Sequence, residues 1–134
     1  MSNIHVFIYG SLLPGQSNYG VVERFVKRSE PGVIMGRLVD VGTYPAAVRD
    51  EAARKGYSVI RGLWIEVDRS GLAAMDGLEE FAGIEELNDY ERVWVSDLAD
   101  QSKQGWVYIW ESDRGCPAVA EDYWPDYVLL KQKN

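Results

Sequence analysis

The sequence predicts an α+β fold built on a mixed, strongly bent sheet. Two observations carry this. Segments with strand-like patterning outnumber helical ones, and the two kinds do not alternate regularly, which argues against a doubly wound parallel sheet. The strand-like segments 33–41 and 57–67 also hold interior glycines, Gly36 and Gly62. Interior glycines mark bulges or tight bends, as a small curled sheet or barrel needs.

The elements follow in order. Ile4–Tyr9 is a short, near-continuous apolar run and reads as a buried first strand. It passes into Tyr9-Gly10-Ser11-Leu12-Leu13-Pro14-Gly15, a turn rich in glycine and proline. Asn18 is placed to cap a helix carrying Val21, Val22, Phe25 and Val26 on one side, with Lys27 and Arg28 at its cationic end. Pro31-Gly32 is expected to break that helix. A strand over 33–41 then ends at Gly42-Thr43-Tyr44-Pro45, and the charged segment 50–56 is read as a hairpin loop. Residues 57–67 alternate, with Val59, Leu63, Ile65 and Val67 expected on one face. Asp68 is a second cap, for a short helix turning Leu72, Met75 and Leu78 inward. An acidic loop over 83–89 and strands over 90–98 and 105–110 complete the pattern. The tail from Arg114 shows no regular period. No repeat or linker interrupts the chain, and the 134 residues are expected to form one domain, 1–134.

Composition narrows the function. A net charge of −7 argues against nucleic acid and against an anionic membrane surface. Cys116 is the only cysteine, so an internal disulfide is impossible and a reducing, cytoplasmic setting is expected. The first residues lack the basic and apolar segments of a signal peptide. No apolar stretch approaches the roughly 20 residues of a bilayer span. His5 is the only histidine, so one Cys and one His cannot make a tetrahedral zinc site, and Ser–His or Cys–His schemes lack a base unless His5, expected at the start of the first strand, supplies it. Cys116 as a reactive thiol has only Arg114 nearby in sequence to support it.

Proton transfer therefore falls to a carboxylate, Lys, Tyr or Cys. Most of the 21 acidic residues must be plain surface. Met75-Asp76-Gly77-Leu78-Glu79-Glu80 differs, because Asp76 and Glu79 share a helix face beside the apolar stripe. A carboxylate at a helix C-terminus meets the negative end of the macrodipole, and apolar neighbours disfavour its charge further. Both effects suit a general base that later acts as an acid; an exposed, frayed helix end is the plainer alternative. The Gly10–Gly15 turn is neither a nucleophile elbow nor a P-loop, since Gln16-Ser17 follows where Lys-Ser/Thr would stand. The aromatics Tyr44, Trp64, Tyr90, Trp110, Trp124 and Tyr127 are mostly packing, with Tyr90 and Tyr127 assigned to the lining of a pocket.

In combination these pieces resemble the γ-glutamylcyclotransferase-like, or AIG2-like, family. Val6-Phe7-Ile8-Tyr9-Gly10-Ser11-Leu12 with Pro14-Gly15 and Asn18 resembles its first strand and binding loop. Gly42-Thr43-Tyr44-Pro45-Ala46, Val59–Val67, Met75-Asp76-Gly77-Leu78-Glu79, Tyr90-Glu91-Arg92-Val93 and Trp106-Val107-Tyr108 are similar to later family segments in the same order. The resemblance covers roughly residues 4–127. It implies a small mixed β-barrel with short helices packed outside. It implies cleavage of a γ-glutamyl amide by internal cyclisation, giving 5-oxoproline and a free amine, with no metal or cofactor. It also implies Glu79 as the acid–base residue and Tyr9, Gly10, Ser11 and Leu12 as the binding loop. Glu80 stands where the family has glycine. Neighbouring helical residues point about 100° apart, so one of the two faces the pocket, and Glu79 is favoured. A non-catalytic small-molecule binding module of the same fold is the alternative. The leaving amine and the oligomeric state stay open.

Overall fold

The computed structural model describes residues 3–16, 18–81 and 90–132, apart from the side chains of residues 21 and 76–81. Eight strands form one mixed sheet among them, in the order β2-β5-β1-β7-β4-β3-β8, with β6 also paired to β7. β1 is Ile4–Ile8, β2 Arg28–Met35, β3 Arg37–Asp40, β4 Pro45–Val48, β5 Val59–Val67, β6 Glu91–Ser96, β7 Gln104–Trp110 and β8 Ala118–Val119. The helices are α1 (Tyr19–Val22), α2 (Glu51–Lys55), α3 (Arg69–Phe81) and α4 (Trp124–Gln132), and a 3-10 turn spans Glu23–Phe25.

Alternation along β1 divides the interior in two. Phe7 and Tyr9 join Ile34, Leu38, Ile60, Trp64, Val107 and Trp124 in one buried cluster. Val6 and Ile8 join Leu12, Leu13, Val22, Ile65, Val67, Met75 and Tyr108 in the other, which lies under α1 and α3. β5 contributes to both clusters, Ile60 and Trp64 to the first and Ile65 and Val67 to the second. Leu63, Ile65 and Val67 share a face as expected, and the opposite face, with Ile60 and Trp64, is buried as well, as in a central strand between β2 and β1.

Four other expectations change. The helix expected up to Arg28 is only α1 and its 3-10 turn, because β2 already begins at Arg28 and runs through Pro31-Gly32. Pro31 is tolerated because β2 is an edge strand whose only ladder among the described strands is with β5. The segment 50–56 is a helix rather than a loop: Asp50 accepts a hydrogen bond from Ala53 N at 2.9 Å and caps α2. The strand expected over 33–41 divides at Gly36 into β2 and β3, while Pro45–Val48 is a further strand antiparallel to β3. Gly62 forms no bulge. It stays in register opposite Gly32, and a Cβ there would lie 2.2 Å from the Ile8 carbonyl oxygen, so the glycine serves close strand approach.

The sheet curls until its edges meet. Leu98 N donates to Val33 O at 2.8 Å, and Val33 N donates to the Asp97 carboxylate at 2.7 Å, tying the end of β6 to β2. Asp97 is 3% exposed and also accepts from Trp64 Nε1, Ala99 N and Asp100 N. Burial pushes this carboxyl up, but the surrounding donors outweigh it and hold the group below its ordinary value.

Candidate active site

The site begins where β1 ends. β1 runs parallel to β7, with Val6 opposite Trp106, and β4 also runs parallel to β7, with Ala47 opposite Ile109. Both strands lie against β7, one after the other. The chain leaving β1 must therefore part from β7 as β4 arrives. Such a divergence at the carboxyl ends of parallel strands leaves main-chain groups unpaired in a crevice.

Gly10 stands at that divergence. A Cβ on it would lie 2.5 Å from Pro45 Cγ, so the approach of the β4 entry admits only glycine. Leu13 N donates to Gly10 O at 3.0 Å and closes the turn. Asn18 fastens its far side: its N donates to Ser11 O at 2.7 Å, and its Nδ2 to Ser11 Oγ at 3.0 Å. Asn18 is thus not the side-chain cap expected of it; it braces the loop. Among the described residues, the N–H groups of Ser11 and Leu12 meet no acceptor. Two adjacent amides held this way form a small cradle for a negative oxygen.

Three tyrosines were expected near this loop, and the structure gives them different duties. The Tyr9 hydroxyl donates to Tyr108 O at 2.6 Å and accepts from Ala47 N at 3.1 Å. It stitches β7 to β4 at the divergence and is 7% exposed, so its phenol supports the loop from beneath. Tyr90 donates to Pro45 O at 2.9 Å, and its ring lies 5.6 Å from that of Trp110. Pro45 links it to Gly10. Tyr127 donates to Asp40 Oδ2 at 2.8 Å, beside Lys131 Nζ at 2.9 Å on the same oxygen. The hydrogen bond to Asp40 raises the Tyr127 hydroxyl, with burial in support. Asp40 lies opposite Pro45 in the β3–β4 ladder, so Tyr127 stands one strand beyond the loop with its hydroxyl already engaged.

α3 shares an apolar cluster with the loop. Asp68 Oδ1 accepts from Gly71 N at 3.0 Å, the capping expected from sequence. Met75 is fully buried in the cluster that holds Leu12 and Leu13, with Leu72 and Tyr90 packed against it. Residue 79 follows Met75 by one helical turn, on the side carrying Leu72 and Met75; residue 80 is rotated about 100° away. The side chains of Asp76, Glu79 and Glu80 and the expected loop over 83–89 lie outside the described residues.

One polar group was missed from sequence. Trp110 is fully buried, and its Nε1 is a buried donor without a partner among the described residues. An unpaired buried N–H costs about 1–3 kcal/mol. No local pattern signals it, since its surroundings come from Val39, Ala46, Val48 and Tyr90. At the other end of β1, adjoining cavities of about 170 and 220 Å³ are lined by His5, Glu30 and Trp64, remote from Gly10.

Residues 6–126 match the gamma-glutamyl cyclotransferase, AIG2-like family. The chain belongs to that family. It is an enzyme of the γ-glutamyl cyclotransferase type. A relative, gamma-L-glutamyl-butirosin B gamma-glutamyl cyclotransferase of Niallia circulans, is 28% identical over 128 residues, covering 93% of this chain and 78% of that protein. Among solved structures, an AIG2-like protein of Mus musculus superposes with a TM-score of 0.61 at 21% identity, over 96% of this chain and 84% of that one. YkqA of Bacillus subtilis superposes with a TM-score of 0.75 at 18% identity, over 99% of this chain but 44% of that one. The family's mixed, curled sheet with short outer helices is the fold observed, as the sequence predicts. No helix among the described residues is long and apolar enough to cross a membrane.

Proposed function

We propose that this cyclotransferase releases 5-oxoproline and a free amine from a γ-glutamyl amide, with Glu79 moving the protons. The observation that supports the reading is the pair of Ser11 and Leu12 amides that meet no acceptor among the described residues, in a loop whose Leu12 and Leu13 share an apolar cluster with Met75 of α3.

In this scheme the substrate's α-amine attacks its own γ-carbonyl carbon. A C–N bond forms, closing a five-membered ring, and the original amide C–N bond breaks. Tethering removes much of the entropic barrier. The amine is largely protonated at neutral pH (reference pKa ~8), so its nitrogen sheds two protons: one goes to solvent to free the lone pair before attack, and Glu79 takes the second as the ring closes and passes it to the departing nitrogen, which leaves as a neutral amine. The Ser11 and Leu12 amides receive the developing oxyanion, each donor contributing roughly 3 kcal/mol. Ser11 Oγ accepts from Asn18, which leaves its own proton to point at the substrate. Protons and bonds balance among substrate, carboxylate and solvent, so no cofactor is called for. We place the reaction in the cytoplasm, in keeping with the free Cys116.

The Niallia circulans relative acts on a γ-glutamylated butirosin. The test panel therefore holds γ-glutamyl-amines as well as γ-glutamyl dipeptides. Wild-type protein is expected to form 5-oxoproline from at least one of them, and Glu79→Gln to lose about 10²- to 10⁴-fold in kcat. Full activity in Glu79→Gln, or binding without product across the panel, would overturn the assignment; the second outcome describes a binding module.

A further inference from the structure

We propose that Trp110 Nε1, together with the Arg114 guanidinium beside it, receives the α-carboxylate of the γ-glutamyl group. The proposal rests on the catalytic reading above and adds a second anchor to it.

The position follows from strand register. β1 and β7 are parallel with Val6 opposite Trp106, so Trp110 lies level with Gly10 although β1 has by then turned away. Tyr90 spans the distance: its ring meets Trp110 at 5.6 Å, and its hydroxyl holds Pro45 O, whose ring abuts Gly10. The indole N–H is the orphaned donor noted above. A buried donor without an acceptor is an incomplete hydrogen bond, and a ligand oxygen completes it.

Charge identifies the ligand group. Arg114 places its guanidinium 4.2 Å from the centre of the Trp110 ring. It does so from an unfavourable backbone conformation, φ +51°, in a turn anchored by Arg37 on Asp113 at 3.3 Å. A buried donor beside a cation selects a full negative charge. In a cyclising γ-glutamyl amide that charge is the α-carboxylate, which the reaction leaves untouched and every substrate carries. The departing group carries a carboxylate only in the dipeptides, whereas the α-carboxylate is common to the dipeptides and the γ-glutamyl-amines alike. Arg114 is half-buried and lies over the ring, which keeps positive charge beside the donor.

The test uses γ-glutamyl methylamide and its α-carboxamide analogue. In 15N-labelled Glu79→Gln protein, where substrate persists, the Trp110 indole N–H signal, assigned by its loss in Trp110→Phe, should move downfield with the carboxylate ligand and stay in place with the carboxamide. In protein that keeps Glu79, Trp110→Phe should raise KM about tenfold, consistent with one lost charge-assisted bond. It should also shrink the carboxylate-to-carboxamide penalty by the same factor. Its unfolding temperature should fall only as far as the smaller ring's lost packing requires, because no protein hydrogen bond is lost. Arg114→Gln should shrink the same penalty. An unmoved indole signal, an equal penalty in both proteins, or a lower unfolding temperature with unchanged KM overturns the proposal. Absence of product from wild-type protein removes the catalytic reading alone, and the indole titration still decides the anchor.

Discussion

Gly10 shows how much one missing Cβ can decide. Gly10→Ala pushes a methyl into the Pro45 ring, so the β4 entry or the loop must shift. Overpacking of this kind costs about 1–3 kcal/mol. A urea titration should show that loss, and 5-oxoproline formation should fall further than stability, because the displaced atoms are the cradle itself. Tyr9→Phe acts differently. It strips the Tyr108 carbonyl and the Ala47 N–H of a shared partner, and should lower stability by about 1–3 kcal/mol in the same titration. The contrast explains what was legible here. The loop could be read because Tyr9-Gly10-Ser11 and Pro14-Gly15 follow local turn chemistry. The duty of the Tyr9 hydroxyl could not, since its partners lie 38 and 99 residues away. The Trp110 N–H is hidden for the same reason.

Elements were legible where one period or one cap decides them. β1, β5 and β7, and α3 with its Asp68 cap, follow from alternation, helical spacing and a capping side chain. The failures have a common cause, because tertiary partners outvoted a local signal. Pro31 reads as a breaker, yet an edge strand needs no N–H on its open side. The segment 50–56 reads as loop, yet Asp50 caps it and Arg37 grips that same carboxylate at 2.7 Å. The closure at Asp97 belongs to this scale. Asp97→Ala abandons the Val33, Ala99 and Asp100 amides and the Trp64 indole, and is expected to cost about 3 kcal/mol or more. Hydrogen exchange should then quicken in β2 and β6 before β1 and β7. Uniform exchange across the sheet would show that the closure is not a separate unit.

Across the whole molecule, acidity is built into stability. Arg37 draws the Asp50 carboxyl down to about 2, with the Ala53 amide assisting against burial. An unfolded Asp titrates near ~3.9. A carboxyl depressed on folding stabilises fully above its unfolded value and loses that contribution as pH falls toward the folded one. Asp40, Asp97 and Asp113 are shifted in the same direction. Urea midpoints should therefore be flat from neutral pH to about 5 and fall steeply between about 4 and 2. Asp50→Asn should flatten part of that fall; an unchanged slope would remove Asp50 from the account. The barrel-like curl was legible as a class from Gly36 and the irregular order of elements, while Gly62, read the same way, marks a close strand approach instead. Its strand order was not, since nothing local tells β1 to lie beside β7.

That last pairing has a consequence in time. The cradle exists only where β1 leaves β7, and β7 ends at Trp110. During synthesis the loop is made first and has nothing to part from until the later strand has emerged. Contacts so distant in sequence make closure slow. A chain arrested before residue 104 should carry every residue of the Gly10–Leu12 loop and still fail to bind a γ-glutamyl ligand.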